Sequence, residues 1–498
     1  MNKYILFNIS LLLVIASPNI LNAQENGKWS NGHGDLSVNY QDSGWSFSFR
    51  HEDAVDDQTA VLNQSSKETI PEDLRFSFLG DAGSPIWIIP QVARPEILFL
   101  GMNAESTAKG AFEQGLFNLQ LSSIHAPGDF FIWKSSLNEI DVDINSSDGI
   151  TESDRMEFPA RAHFHKNWGF NSPGTYRLGF TANGILANGV LPTESEEYFI
   201  NFEVNVLSEG EVDLEIVYED GEWEAEILAH VDAHGHDDHD EDDHGEDDHG
   251  EDDHGEAVYP ANDVALRVDS RSATLVPNDP AFGFLGHPGE LFYELPQHEE
   301  EGLLYLGIAS DEVEAGVFVG DQVQLNLKSA EGPGEVYLYS TDTFGKPNVM
   351  FNTADGISES DTFVMKAGAH SHQSMAFSEA GLYRVAFDFS GKLAGTGEET
   401  RSEEFQLLFE VEKGTSSGLT DDHGEDDHYS IKSFSKAASP FSLTLQTKAG
   451  MNYIIEASHD LKKWGEIGEI QGTGSPVNFT EARKALFPRQ YYRVKIKE

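Results

Sequence analysis

From Gly34 onward, apolar and polar residues alternate in short runs broken by Gly, Asp, Asn and Ser, and no long stretch keeps a helical period. Side chains two apart on a strand share a face, so this alternation predicts many short strands with one face turned to a core. Residues 36–40 and 45–49 predict a hairpin over Asp42-Ser43-Gly44. Further strands are predicted at 75–79, 86–89, 98–100, 117–122, 130–134, 157–165, 174–182 and 198–207. Short strands at this spacing, punctuated by turn residues, predict an all-β chain built of β-sandwiches.

The same order of blocks then returns. Asp35-Leu36 with Tyr40 and Trp45 matches Asp213-Leu214 with Tyr218 and Trp223. Leu98-Phe99-Leu100-Gly101 matches Leu304-Tyr305-Leu306-Gly307, and Asp148-Gly149-Ile150 matches Asp355-Gly356-Ile357. Two tandem β-sandwich domains are therefore expected, at 30–208 and 209–413, followed by a small C-terminal β-sandwich at 431–498. Trp168, Phe170 and Tyr176 are expected in the core of the first copy.

Two stretches depart from this pattern. An insertion at 234–256 carries His234, His236, His239, His244, His249 and His254 among Asp, Glu and Gly, and 414–430 holds a shorter echo. Lacking apolar residues and repelling themselves, both are expected to be disordered. The N-terminus also stands apart. Lys3, a mostly apolar run over 5–16 and Leu21-Asn22-Ala23 predict a signal peptide over 1–23, too short for a good membrane span. An exported protein is expected, in the periplasm, at the cell surface or secreted.

Charge and cysteine content narrow the partners. The formal net charge is −54, which makes nucleic acid and anionic membranes poor partners, and there is no Cys. Any metal site must use His, Asp, Glu or carbonyl oxygen. His163 and His165 sit two apart on a predicted strand, as do His370 and His372, so each pair presents two imidazoles on one face. Such a pair holds a divalent transition metal when further ligands join it. His33 and His51, near the first hairpin, are candidates to complete the first site; Glu211 stands where His33 aligns in the second copy. The regularly spaced histidines of the insertion predict several weak, exchangeable sites for Zn²⁺ or a similar ion, whereas carboxylates alone would serve Ca²⁺. No nucleophile elbow, zinc-protease helix or phosphate loop is present in the sequence, so no enzyme activity is expected.

The blocks Asp35-Leu36, Phe78-Leu79-Gly80, Leu100-Gly101 and His163-x-His165-x-Asn167-Trp168, closing on Pro173-Gly174-x-Tyr176, resemble the choice-of-anchor M domain. That family of surface-anchored repeats, best known from actinobacteria, is often encoded beside metal-type ABC transporters. The resemblance implies metal capture at the cell surface, with such a transporter or another surface component as partner. The second copy has Ser374 and Met375 where the first has Asn167 and Trp168, so a site needing the Trp168 ring would be degenerate there. The terminal stretch, with Tyr453 to Trp464 and Tyr491-Tyr492-Arg493-Val494, resembles a small β-sandwich of exported proteins in Verrucomicrobia. The expected function is a non-enzymatic, zinc-type metal-binding protein. The rival expectation is a structural or adhesive surface protein whose acidic linkers bind at most Ca²⁺.

Overall fold

A computed structural model describes residues 27–51, 58–187, 192–231, 255–414, 429–434, 442–458, 465–473, 475–480 and 491–496. The expected signal peptide, the histidines of the 234–254 tract and residues 421–428 lie outside the described residues. Two compact units divide the chain, Met1–Leu419 and Thr420–Glu498. Among the described residues no helix is long and apolar enough to cross a membrane.

The chain is all-β: strands dominate, and the described helices are short 3-10 turns. In the first unit, the two copies repeat one strand plan. Each contains a seven-stranded sheet, a sheet built on the strand that ends in Ile89 or Leu295, and a sheet built on the first hairpin. The three sheets of a copy share one apolar core. In the first copy Leu36, Leu100, Trp168, Tyr176 and Phe202 meet there, each fully buried. The hairpin turn forms as expected: Gln41 pairs with Gly44, and Asp42 and Ser43 both take positive φ, the backbone of a two-residue hairpin turn.

Three expected strands differ, and the first of them explains the third sheet. Residues 157–165 were expected as one strand; they form Arg155–Pro159 and His163–His165, broken at Arg161 with φ of 67°. The first piece pairs within the seven-stranded sheet, the second joins the hairpin sheet, and Asn167–Phe170 joins the remaining one. One short stretch therefore visits all three sheets. Residues 198–207 split at Asn205, leaving Tyr198–Val204 and Val206–Leu207. Residues 75–79 lie in a 3-10 turn, Leu74–Leu79, started by Asp73, whose carboxylate accepts from the Arg75 amide. There the Asx turn outweighs the alternation of Phe76 and Phe78.

The copies are locked by a buried cation. Arg267 of the second copy donates to Glu203 Oε1 (2.8 Å) and Thr175 Oγ1 (2.8 Å) of the first, and to Glu410 Oε2 (3.3 Å) of its own. Glu410 also accepts from the amide and hydroxyl of Thr175. The second unit contains two three-stranded sheets, with Leu443, Leu445, Tyr453, Ile455 and Ile470 in its core.

Removing one partner of a buried ion pair leaves the others uncompensated. Arg267→Ala should therefore cost about 3–5 kcal/mol in denaturant unfolding, with Arg267→Lys recovering only part, since a lysine cannot fork between carboxylate and hydroxyl. A loss of under about 1 kcal/mol would mean that the lock behaves as a surface ion pair.

Candidate metal centres

The hairpin sheet of the first copy runs in the order His163–His165, Leu98–Asn103, Gly32–Gln41, Gly44–His51. Its register sorts side chains by face. On one face Leu36, Val38, Leu98, Leu100 and Met102 are fully buried in the core. On the other, His165, Gly101 and Asp35 stand in one row across the three strands, and His33 is opposite Phe99. His163 follows on that face, opposite Asn103.

Gly101 is the floor of this cluster. A methyl group there would collide with the Asp35 carboxylate and the His163 ring. Above it the rings of His33, His163 and His165 lie 5.2–5.4 Å apart centre to centre. One ring nitrogen from each lies within 4.8 Å of the others. His165 is held on two sides: its ring stacks on Phe99 at 3.7 Å and its Nδ1 donates to the Leu100 carbonyl at 3.0 Å. A carbonyl only accepts, so that bond keeps the proton on Nδ1 and leaves the Nε2 lone pair free to bind a cation. Burial, opposed by that bond, holds the His165 pKa below the ordinary histidine value, which favours the neutral ligand form. Asp35 Oδ1 lies 2.9 Å from His163 Nε2 and 3.7 Å from His33 Nε2. It is shut off from solvent, and no donor among the described residues reaches it in hydrogen-bonding geometry. A buried carboxylate oxygen without a donor, next to three imidazoles, suits a cation.

His51 is not in this cluster. It pairs with Gly34, which faces the other way, and its ring packs edge-on against Trp29. The period of the strand decides this: His51 shares the face of the even-numbered core residues opposite it, not that of His33 and Asp35.

The second copy repeats the arrangement with different donors. Gly307 takes the place of Gly101, and a methyl there would meet Asp213 and both histidine rings. Glu211, Asp213, His370 and His372 converge within the same 4.8 Å. His372 stacks on Tyr305 at 3.7 Å, as His165 does on Phe99. The aromatic wall is thus Phe99 or Tyr305. Trp168 is buried in the core on another sheet, so Met375 in its place does not remove a wall from the second cluster. Sequence reasoning did not single out Asp35, Asp213 or the two glycines as parts of a site. The available signal was the matching Asp-Leu and Leu-Gly pairs, with each Asp two residues after His33 or Glu211. His230, the penultimate residue of Glu222–Val231, donates from Nε2 to Asp213 Oδ2 at 2.9 Å. The strand it pairs with, Gly255–Pro260, begins within the expected insertion. The tract's described flanks therefore stand beside the second cluster.

Next to this cluster Glu215 is buried, accepts from the Glu312 amide at 3.2 Å, and is pushed up to about 7 by desolvation. Its unfolded value is ordinary, so the unfolded state loses the proton first as pH rises. The stability that the protonated form contributes is present below about 4.5 and lost as pH climbs through 7. Glu215→Gln should therefore gain on the parent protein in thermal melts between pH 5 and pH 8. An advantage that stays constant across that window would contradict the assignment.

No protein-family model and no curated protein matches the chain in sequence. Solved structures that align with it include one named BspA_C_WT (8% identity, 69% of this chain and 99% of that one, TM-score 0.11). Another is the serine-rich repeat protein Srr2 from Streptococcus agalactiae (8%, 68% and 88%, TM-score 0.12). A third is CfaE, the adhesive subunit of the CFA/I fimbria of enterotoxigenic Escherichia coli (8%, 78% and 100%, TM-score 0.11). At these scores the likenesses carry no argument about fold or function.

Proposed function

We propose that this is an exported, non-enzymatic protein that binds a divalent transition metal, Zn²⁺ foremost, and captures or relays it at the cell surface or in the periplasm. The observation that carries this reading is the convergence of His33, His163 and His165 over Gly101, with His165 Nδ1 committed to the Leu100 carbonyl. Zn²⁺ takes imidazole nitrogen and carboxylate oxygen in tetrahedral sets, for which three histidines and Asp35 suffice. Donors at Zn–N distances stand about 3.3 Å apart, so rotamer shifts of about an ångström close the set.

Exchange is also supported. The side chains of His33 and His163 are 26% and 31% exposed, so an ion reaches the cluster from solvent without opening the core. The sequence resemblance to the choice-of-anchor M domain, and hence a transporter or surface component as partner, belongs to this reading, as do the sandwich description of the repeats and a collecting role for the 234–254 histidines.

The test is calorimetric titration of Zn²⁺, with Ca²⁺ as control, into the full chain and into His163→Ala/His165→Ala. Loss of one tight Zn²⁺ per chain, with the weaker binding of the acidic histidine tract retained, is the expected result. Unchanged stoichiometry and affinity would leave the structural or adhesive surface protein as the better reading. Gly101→Ala should weaken the same site by about 10–100-fold while leaving all its ligands in place, because it displaces the carboxylate and ring that orient one another.

A further inference from the structure

The two clusters are not chemically equal. Where the first copy has His33, the second has Glu211, so three imidazoles beside one carboxylate become two imidazoles beside two carboxylates. We propose that Glu211, Asp213, His370 and His372 form a second metal centre whose preference is shifted towards harder divalent cations of the Mn²⁺ and Fe²⁺ class. This rests on the reading that the first cluster binds metal, and it adds that the two repeats sort ions between them.

Four observations carry it. First, the donor atoms are gathered as closely as in the first copy, over a glycine that cannot carry a side chain. Second, Asp213 is only 3% exposed, and its orientation is set from outside the cluster by His230 on Oδ2, which turns Oδ1 inward. A buried carboxylate fixed by a neighbour on its far oxygen is how an outer residue orients a metal ligand. Third, both carboxylates meet imidazoles: His370 Nε2 is 2.9 Å from Asp213 Oδ1 and His372 Nε2 is 3.1 Å from Glu211 Oε1. Bringing a cation between them replaces two imidazole–carboxylate contacts with four metal bonds. Fourth, His372 is pinned by the same ring stacking as His165, so this ligand is placed alike in the two copies. Exchanging nitrogen for anionic oxygen raises the relative affinity for oxygen-preferring ions and adds a negative charge to the site.

The experiment uses the full chain, so the acidic tract contributes equally to every sample. His163→Ala/His165→Ala leaves the second centre and His370→Ala/His372→Ala leaves the first. Mn²⁺ binding is read from loss of the free-ion paramagnetic resonance signal, and Zn²⁺ binding from competition against it. The Zn:Mn affinity ratio should be about tenfold or more lower for the second centre than for the first. Placing Glu211→His in the His163→Ala/His165→Ala background should move the ratio back towards that of the first. Glu211 is 38% exposed, so this change does not threaten the core. Equal ratios at the two centres, or a ratio unmoved by Glu211→His, would overturn the sorting. Mn²⁺ retention by His163→Ala/His165→Ala no greater than by the chain lacking both histidine pairs would overturn the second centre itself. Zn²⁺ calorimetry on His370→Ala/His372→Ala reads the first cluster without the second, so failure there is distinguishable from failure here.

Discussion

Both candidate sites in this structure depend on one missing side chain per repeat. Gly101 and Gly307 occupy the middle strands of their hairpin sheets, at the point where the flanking strands direct an aspartate and two histidines inward. Strands are about 4.8 Å apart, so side chains in one row across three strands would normally be separated by the residue in the middle. With glycine there, the outer residues lean over the gap and their donor atoms meet. Any larger residue would push apart the Asp35 carboxylate and the His163 ring, or Asp213 and its two histidines. The cluster is therefore a property of sheet register, and the loops contribute little to it.

Register in turn rests on burial. Leu98, Leu100 and Met102 alternate with Phe99, Gly101 and Asn103, and the first set is sealed into the core. A slip of one residue would turn the leucines to solvent and bury the cluster, so the hydrophobic term that folds the repeat also fixes the position of the candidate ligands. The side chains themselves are then locked individually, by the Phe99 stack, the Leu100 carbonyl, and in the second copy the Tyr305 stack and His230. Rigid placement on strands is what gives a binding constellation its geometry.

Much of this was legible in the sequence, but unevenly. The duplication, the all-β class and the pairing of His163 with His165 on one face follow from period-two alternation and from ordered repeated blocks. His33 was within reach because it precedes the hairpin and aligns with an acidic residue. His51 was misplaced because its position along the chain said nothing about which face it shares with Gly34. Asp35 and Asp213 looked like markers of a repeat, since a carboxylate on a strand facing solvent is ordinary until its neighbours are known. The three-sheet division was hidden in residues 155–170, where positive φ at Arg161 breaks a run that reads as continuous strand. Trp168 lies in the core as expected, on a strand of another sheet, so it walls neither cluster.

The account stands or falls on whether an ion sits over Gly101. Anomalous diffraction from crystals grown with one equivalent of Zn²⁺, collected on both sides of the zinc absorption edge, measures this directly. The account predicts a strong anomalous peak bonded to His33, His163 and His165, with Asp35 turned towards it. Zinc density found only elsewhere on the chain, with these three rings unmoved and unligated, would contradict it.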